Sequence, residues 1–189
     1  YKRDDLLLKI ANKENITLFG VSAKYVDALR KTRKNFKKVY KLEKLKTICS
    51  TGSPLSADCF KYVYKNIKKN VHLASISGGT DIVSCFVLGN LYQSVYSGEI
   101  QSKGLGMDVR VFNEKGMSIS NQKGELVCVN PFPSMPSKFW NDYKDTKFKK
   151  AYFNKYRNIW HHGDYAKITN NNGLIISGRS DTTLNPGGV

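Results

Sequence analysis

Between Ile16 and Ile76, three short apolar runs alternate with two amphipathic ones, and this order restricts the fold more than any other feature. The apolar runs are Ile16–Gly20, Leu45–Ser50 and Val71–Ile76, each short enough for a buried strand. Between the first two, Ser22 is placed to cap a helix that turns Tyr25, Val26 and Leu29 inward. Between the last two, Ser56 is placed to cap a second, with Phe60, Val63, Tyr64 and Ile67 at three- and four-residue steps. Ahead of them, Asp4-Asp5 precedes an apolar helix through Leu6, Leu7, Leu8, Ile10 and Ala11. Strand-helix-strand order feeds a parallel sheet covered by helices.

The pattern changes near Gly98. Asp108–Phe112, a turn at Asn113–Gly116 and Gly124–Val129 read as short strands joined by tight turns. Phe132–Phe153 is aromatic, charged and proline-bearing, an extended loop with a short helix. The expected class is therefore α/β, a mostly parallel sheet with flanking helices followed by an antiparallel β subdomain. The expected division is 1–97, 98–180, and a last stretch 181–189 that opens a further domain.

Near the end, Lys167-Ile168-Thr169 and Leu174–Ser177 flank Asn170-Asn171-Asn172-Gly173, which reads as strand, turn, strand. Asp164 precedes the first strand and Arg179 follows the second, so a hairpin draws the carboxylate and the guanidinium together. An acceptor beside a donor fork suits a polyhydroxyl ligand such as ribose. The same pair also serves as an ordinary structural ion pair.

Two loops follow strands of the first half, Thr51-Gly52-Ser53-Pro54 and Ser77-Gly78-Gly79-Thr80-Asp81. Ligands of open parallel sheets bind beyond the carboxyl ends of strands. Glycine admits close backbone approach, the Thr80 hydroxyl can donate to a phosphate oxygen, and Asp81 can hold Mg²⁺. Taken singly, each is equally a simple turn. The sequence has no Walker-type loop, no Gly-x-Ser-x-Gly elbow and no nucleophile triad.

Composition narrows the partners. A formal charge of +16 suits a polyanion, yet the lysines are scattered over positions expected on solvated helix faces, so no specific nucleic-acid partner is expected. No apolar run is long enough to span a membrane. Cys49, Cys59, Cys85 and Cys128 form no close metal-ligand pair; Cys49 and Cys128 sit in apolar strand-like runs, which reads as buried reduced thiols in a cytosolic protein. The three histidines lack zinc spacing.

Several of these stretches recur in one family in this order: Gly20–Tyr25, Ser50–Leu55, Ser75–Asp81, Tyr96–Gln101, Gly124–Cys128, Phe139–Asp142, Ala151–Phe153, His162–Tyr165 and Gly178–Gly188. On them the chain resembles the acyl-adenylate-forming, AMP-binding superfamily, and within it the acetoacetate–CoA ligases. The resemblance implies ATP/AMP, Mg²⁺ and coenzyme A as cofactors or co-substrates, and acetoacetate as the acid. It implies that Gly52, Ser53 and Pro54 lie against adenine with Ser75 and Ile76 near the same base. It puts Thr80 on the α-phosphate, and Asp81 where relatives carry a Mg²⁺-associated glutamate. Asp164 and Arg179 match the ribose ligands, Asp181 the hinge of a small C-terminal domain, and Gly187-Gly188 the loop along the coenzyme A tunnel. Thr51 and Gly78 stand where acetyl-CoA synthetases carry valine and tryptophan, so with Gly79 they are expected to line a wider acid pocket.

The resemblance also implies parts that are not in this sequence: an upstream Ser/Thr/Gly-rich phosphate loop and a downstream lysine that assists adenylation. A piece of a longer enzyme, inactive by itself, is the expectation. Another short- or medium-chain acyl-CoA synthetase, or a nucleotide-binding remnant without turnover, are the alternatives.

Overall fold

A computed structural model describes residues 4–181, which fall into two compact units. Within that range one unit comprises 4–76 and 89–101, the other 77–88 and 102–181. The fold is mixed α/β, with one parallel and two antiparallel sheets.

In the first unit, α1 (Leu6–Lys13) leads into β1 (Leu18–Ser22), α2 (Ala23–Lys31), β2 (Thr47–Thr51), α3 (Ala57–Tyr62) and β3 (His72–Ser75). The three strands lie parallel in the order β1-β2-β3. β1 begins two residues later than the apolar run suggests, because the Ile16 amide still donates to the Ala11 carbonyl at 3.1 Å. Ser22 ends β1 and caps α2, its hydroxyl accepting from the Tyr25 amide at 3.1 Å. Ser56 caps α3 in the same way through the Cys59 amide at 3.3 Å. Asp5 makes no side-chain cap on α1; its carboxylate accepts from the Tyr40 hydroxyl at 2.7 Å.

The inward faces meet in a core that includes Leu8, Val26, Leu29, Ile48, Phe60, Val63 and Leu73. Each such side chain contributes about 1.5–3 kcal/mol of burial. Tyr25 and Tyr64 lie at its edge, half-buried. Gln101 ties the 89–101 segment to β3. Its Oε1 lies 2.7 Å from His72 Nε2 and accepts from the Asn90 amide, while its Nε2 donates to the carbonyls of Asn90 and Gln93.

The second unit opens with β4 (Ser77–Gly79) and β5 (Ser84–Leu88), an antiparallel hairpin to which β6 (Ser102–Lys103) adds a short third strand. Ser77-Gly78-Gly79, expected as loop, is thus a strand, and the turn lies at 80–83. β7 (Val109–Phe112), β8 (Gly124–Cys128), α4 (Thr146–Tyr152), β9 (Trp160–Ile168) and β10 (Leu174–Arg179) follow. Their sheet runs β10-β9-β8-β7, antiparallel throughout. Asp142 supplies the cap of α4 from a distance, accepting the Phe148 amide at 2.9 Å. Trp160 organises an aromatic cluster: Tyr152 stacks on it at 3.6 Å, and Phe132, Phe148 and Phe153 meet it edge-on. Offset and edge-on pairs each add about 0.5–1.5 kcal/mol beyond area burial.

Candidate nucleotide and acid site

Asp164 and Arg179 are cross-strand partners on β9 and β10. The sequence pattern places them at the flanks of the hairpin, but both lie within its strands. The hairpin is longer than its apolar residues indicate, and it absorbs a register irregularity between Ile176 and Gly178. Arg179 Nη1 is 3.4 Å from Asp164 Oδ1. The guanidinium grips Asp181 more closely, donating from Nε to Oδ1 at 3.1 Å and from Nη2 to Oδ2. A fork of this kind holds both groups in one plane.

Gly163 lies against that fork. Its φ is +80°, and a Cβ there would stand 2.8 Å from Arg179 Nη2 and 3.2 Å from Asp181 Oδ2. Backbone conformation and crowding both demand glycine. Burial raises the Asp164 carboxyl above its usual range, and the nearby Arg179 charge opposes the rise. An acceptor that has lost most of its water is well suited to ligand hydroxyls that restore its hydrogen bonds.

His162 joins this pair to β4. Its Nε2 lies 3.2 Å from the Gly78 carbonyl oxygen and 3.5 Å from Asp164 Oδ2, while Nδ1 is buried with no partner. Burial lowers the imidazole to about 4, so it is neutral at neutral pH. Its ring fills the space beside Gly79, where a Cβ would be 2.8 Å from Cε1. Gly78 is packed still harder, against backbone: a Cβ there would be 2.0 Å from the Ser84 carbonyl oxygen and 2.6 Å from Cys85 Cα.

Thr80 and Asp81 are exposed on the turn after β4. Tyr152, stacked on Trp160, donates its hydroxyl to Asp81 Oδ2. Among the described residues no three His, Cys, Asp or Glu side chains converge as a metal cluster. A lone exposed carboxylate still fits Mg²⁺, which takes one or two carboxylates and completes its octahedron with phosphate oxygens and water.

In the first unit, Thr51 ends β2, and Gly52, Ser53 and Pro54 continue from it as an exposed loop pinned by buried Leu55. Ser75 ends the adjacent β3, and the Ile76 amide donates to the Ser50 carbonyl at 2.9 Å. These two chain ends therefore lie together at the carboxyl edge of the parallel sheet. Beneath them the Ser50 hydroxyl is buried without a partner. Gly187 and Gly188 lie outside the described residues.

Sequence reasoning assigned no role to His162 or Glu125. Both stand inside stretches shared with the family, His162–Tyr165 and Gly124–Cys128, and Glu125 is also the one carboxylate in an otherwise apolar strand. It is 5% exposed and receives Lys155 Nζ at Oε1. Its Oε2 lies 2.9 Å from His161 Nε2 and accepts the Ser180 hydroxyl at 2.6 Å. Burial pushes Glu125 up, but the hydrogen bonds from Lys155, Ser180 and His161 outweigh it and hold the carboxyl below its ordinary range.

No protein-family model matches the chain. An acetoacetyl-coenzyme A synthetase of Rhizobium meliloti (strain 1021) is 52% identical over 185 residues, which is 98% of this chain. The acetoacetyl-CoA synthetase of Gallus gallus is 47% identical over 188 residues. Among solved structures, the acetoacetyl-CoA synthetase from Streptomyces lividans matches with a TM-score of 0.88 at 38% identity, covering 98% of this chain and 29% of that one. The chain spans about 28% of the length of these curated relatives.

Proposed function

We infer, from the chain's place as a segment of the acetoacetyl-CoA synthetase family, that it forms part of an ATP-dependent acid–thiol ligase acting on acetoacetate. In the first half-reaction the acetoacetate carboxylate attacks the α-phosphorus of ATP, and pyrophosphate departs with the electron pair of the broken P–O bond. In the second, the coenzyme A thiolate displaces AMP from the acyl-adenylate. Neither step uses a side-chain nucleophile, so alignment and charge stabilisation are the protein's task.

The residues divide these tasks. Gly52, Ser53 and Pro54, with Ser75 and Ile76, receive the adenine. Asp164 accepts from the ribose hydroxyls and Arg179 donates to them. The Thr80 hydroxyl donates to the α-phosphate, and Asp81 would hold Mg²⁺, which would shield phosphate charge. Thr51, Gly78 and Gly79 border the acid. Asp181 is the hinge between the half-reactions, and Gly187-Gly188 adjoin the pantetheine. Four free cysteines suit a reducing cytosolic setting. Among the described residues no helix is long and apolar enough to cross a membrane.

The observation that carries the reading is the cross-strand pairing of Asp164 with Arg179, 3.4 Å apart on a buried acceptor. The test uses the full-length chain that contains this segment, supplied with ATP, Mg²⁺, coenzyme A and a series of acids. Acetoacetate-dependent release of AMP with thioester formation is expected. Saturable AMP binding without thioester would replace the reading with a nucleotide-binding remnant. A preference for butyrate or longer acids would replace it with a different acyl-CoA synthetase.

A further inference from the structure

We propose that Glu125 is a positioning residue for the hinge, acting through Ser180 to fix the point at which the chain leaves the sheet. The proposal rests on the assignment of Asp181 as hinge. A rotation confined to one residue needs its preceding neighbour held rigidly, and Ser180 is held twice. Its amide donates to the Gly163 carbonyl at 2.8 Å, and its hydroxyl donates to Glu125 Oε2 at 2.6 Å. Glu125 is itself immobilised: it lies on β8, in the interior of the four-stranded sheet, with His161 on the same oxygen and Lys155 on the other. One step further, Asp181 is gripped by the side chain of Arg179. The sheet's grip through β8 and β9 thus reaches Ser180, while Asp181 is held by a fork that turning about the hinge can release.

A carboxylate is well chosen for this task. It offers acceptor capacity to three donors at once, and charge-assisted bonds of this length resist the pull of a moving domain. Neither Glu125 nor Ser180 is among the residues assigned to the nucleotide, so loosening the anchor is expected to spare adenylate formation. The anchor matters when the domain swings for the thiol step, because a pivot that slides along the chain misplaces every group carried on it.

The experiment measures both half-reactions in the full-length chain: acid-dependent pyrophosphate exchange for the first, and thioester formation from preformed acyl-adenylate for the second. Ser180→Ala removes only the hydroxyl and leaves Glu125 paired with Lys155 and His161. It is expected to slow the thiol step by about tenfold while exchange changes by less than about twofold, and Ser180→Thr restores the thiol step. An equal fall in both half-reactions with a lowered melting temperature, or no change in either, would overturn the proposal. Asp181→Pro separates this failure from failure of the hinge assignment. If Asp181→Pro blocks the thiol step alone and Ser180→Ala does not, the anchor is wrong and the hinge stands. If Asp181→Pro affects both half-reactions alike, the hinge assignment itself falls.

Discussion

Arg179 divides its guanidinium between two carboxylates, Asp164 across the hairpin at 3.4 Å and Asp181 two residues along its own chain, which takes the closer fork. The Nη1 edge thus faces the buried acceptor Asp164, while the Nε and Nη2 edge faces Asp181. In the proposed function, ribose binding and the hinge share one side chain.

Asp164→Ala in the full-length chain is expected to weaken both ATP and AMP, since charged-acceptor hydrogen bonds to the ribose hydroxyls contribute about 1.5–3 kcal/mol. Equilibrium binding of the two nucleotides checks this. The same carboxylate predicts a pH dependence. Burial raises its folded pKa above the unfolded value, so its ionisation costs stability; that cost is absent below the unfolded pKa, grows as pH rises from there, and is complete above the folded pKa. Nucleotide affinity runs the opposite way, falling as pH drops through the raised pKa and the acceptor protonates.

His162 makes stability depend on pH with the opposite sign. Its folded pKa of about 4 lies below the ordinary 6.5, so its contribution is complete above pH 6.5 and is lost as pH falls towards 4. Burial is the main cause; Arg179 and His161 push the same way, while the Gly78 carbonyl and Asp81 oppose it. A shift of this size corresponds to about 3 kcal/mol at most. His162→Gln, which can still donate to the Gly78 carbonyl, should flatten the melting temperature between those pH values. An unchanged slope would show that the imidazole titrates freely.

Much of this architecture was legible because local chemistry and tertiary packing agree. Ser22 and Ser56 announced their helices by capping, and the spacing of Val26, Leu29, Phe60 and Val63 announced the core. The Asp164–Arg179 meeting followed from a turn between two apolar runs. What escaped were relations that no local pattern encodes. Ser77-Gly78-Gly79 reads as loop by composition, yet it is a strand paired with β5, which lies hard against the missing side chain of Gly78. Glu125 reads as one polar residue in a strand, and its three partners come from residues 30 to 55 positions away.

Gly78 carries a prediction of its own. An opened acid pocket suggests that Gly78→Trp would refill it, but a Cβ at this position meets the Ser84 carbonyl oxygen at 2.0 Å. That neighbour is backbone and cannot turn aside. Even Gly78→Ala should therefore destabilise the β4–β5 hairpin by about 3 kcal/mol or more, lowering the melting temperature before any change in acid preference is measurable. A stable Gly78→Ala enzyme with altered acid preference would return the residue to the pocket lining alone.

Thr51 is the better probe of which acid is activated. It ends β2 and is exposed, at the edge where β2 and β3 finish together, so its side chain can change without a core cavity. Valine keeps its shape and β-branched stiffness and removes only the hydroxyl. A hydroxyl that donates to the 3-keto oxygen of acetoacetate has no counterpart in butyrate, which has the same four carbons and no keto group. Loss of such a bond leaves the keto oxygen of the bound acid without its donor. Thr51→Val in the full-length chain should therefore lower kcat/KM for acetoacetate by about tenfold, near 1.4 kcal/mol, while butyrate changes by less than about twofold. Equal losses for the two acids would mean that Thr51 serves its own loop, and that acid selection rests on pocket shape.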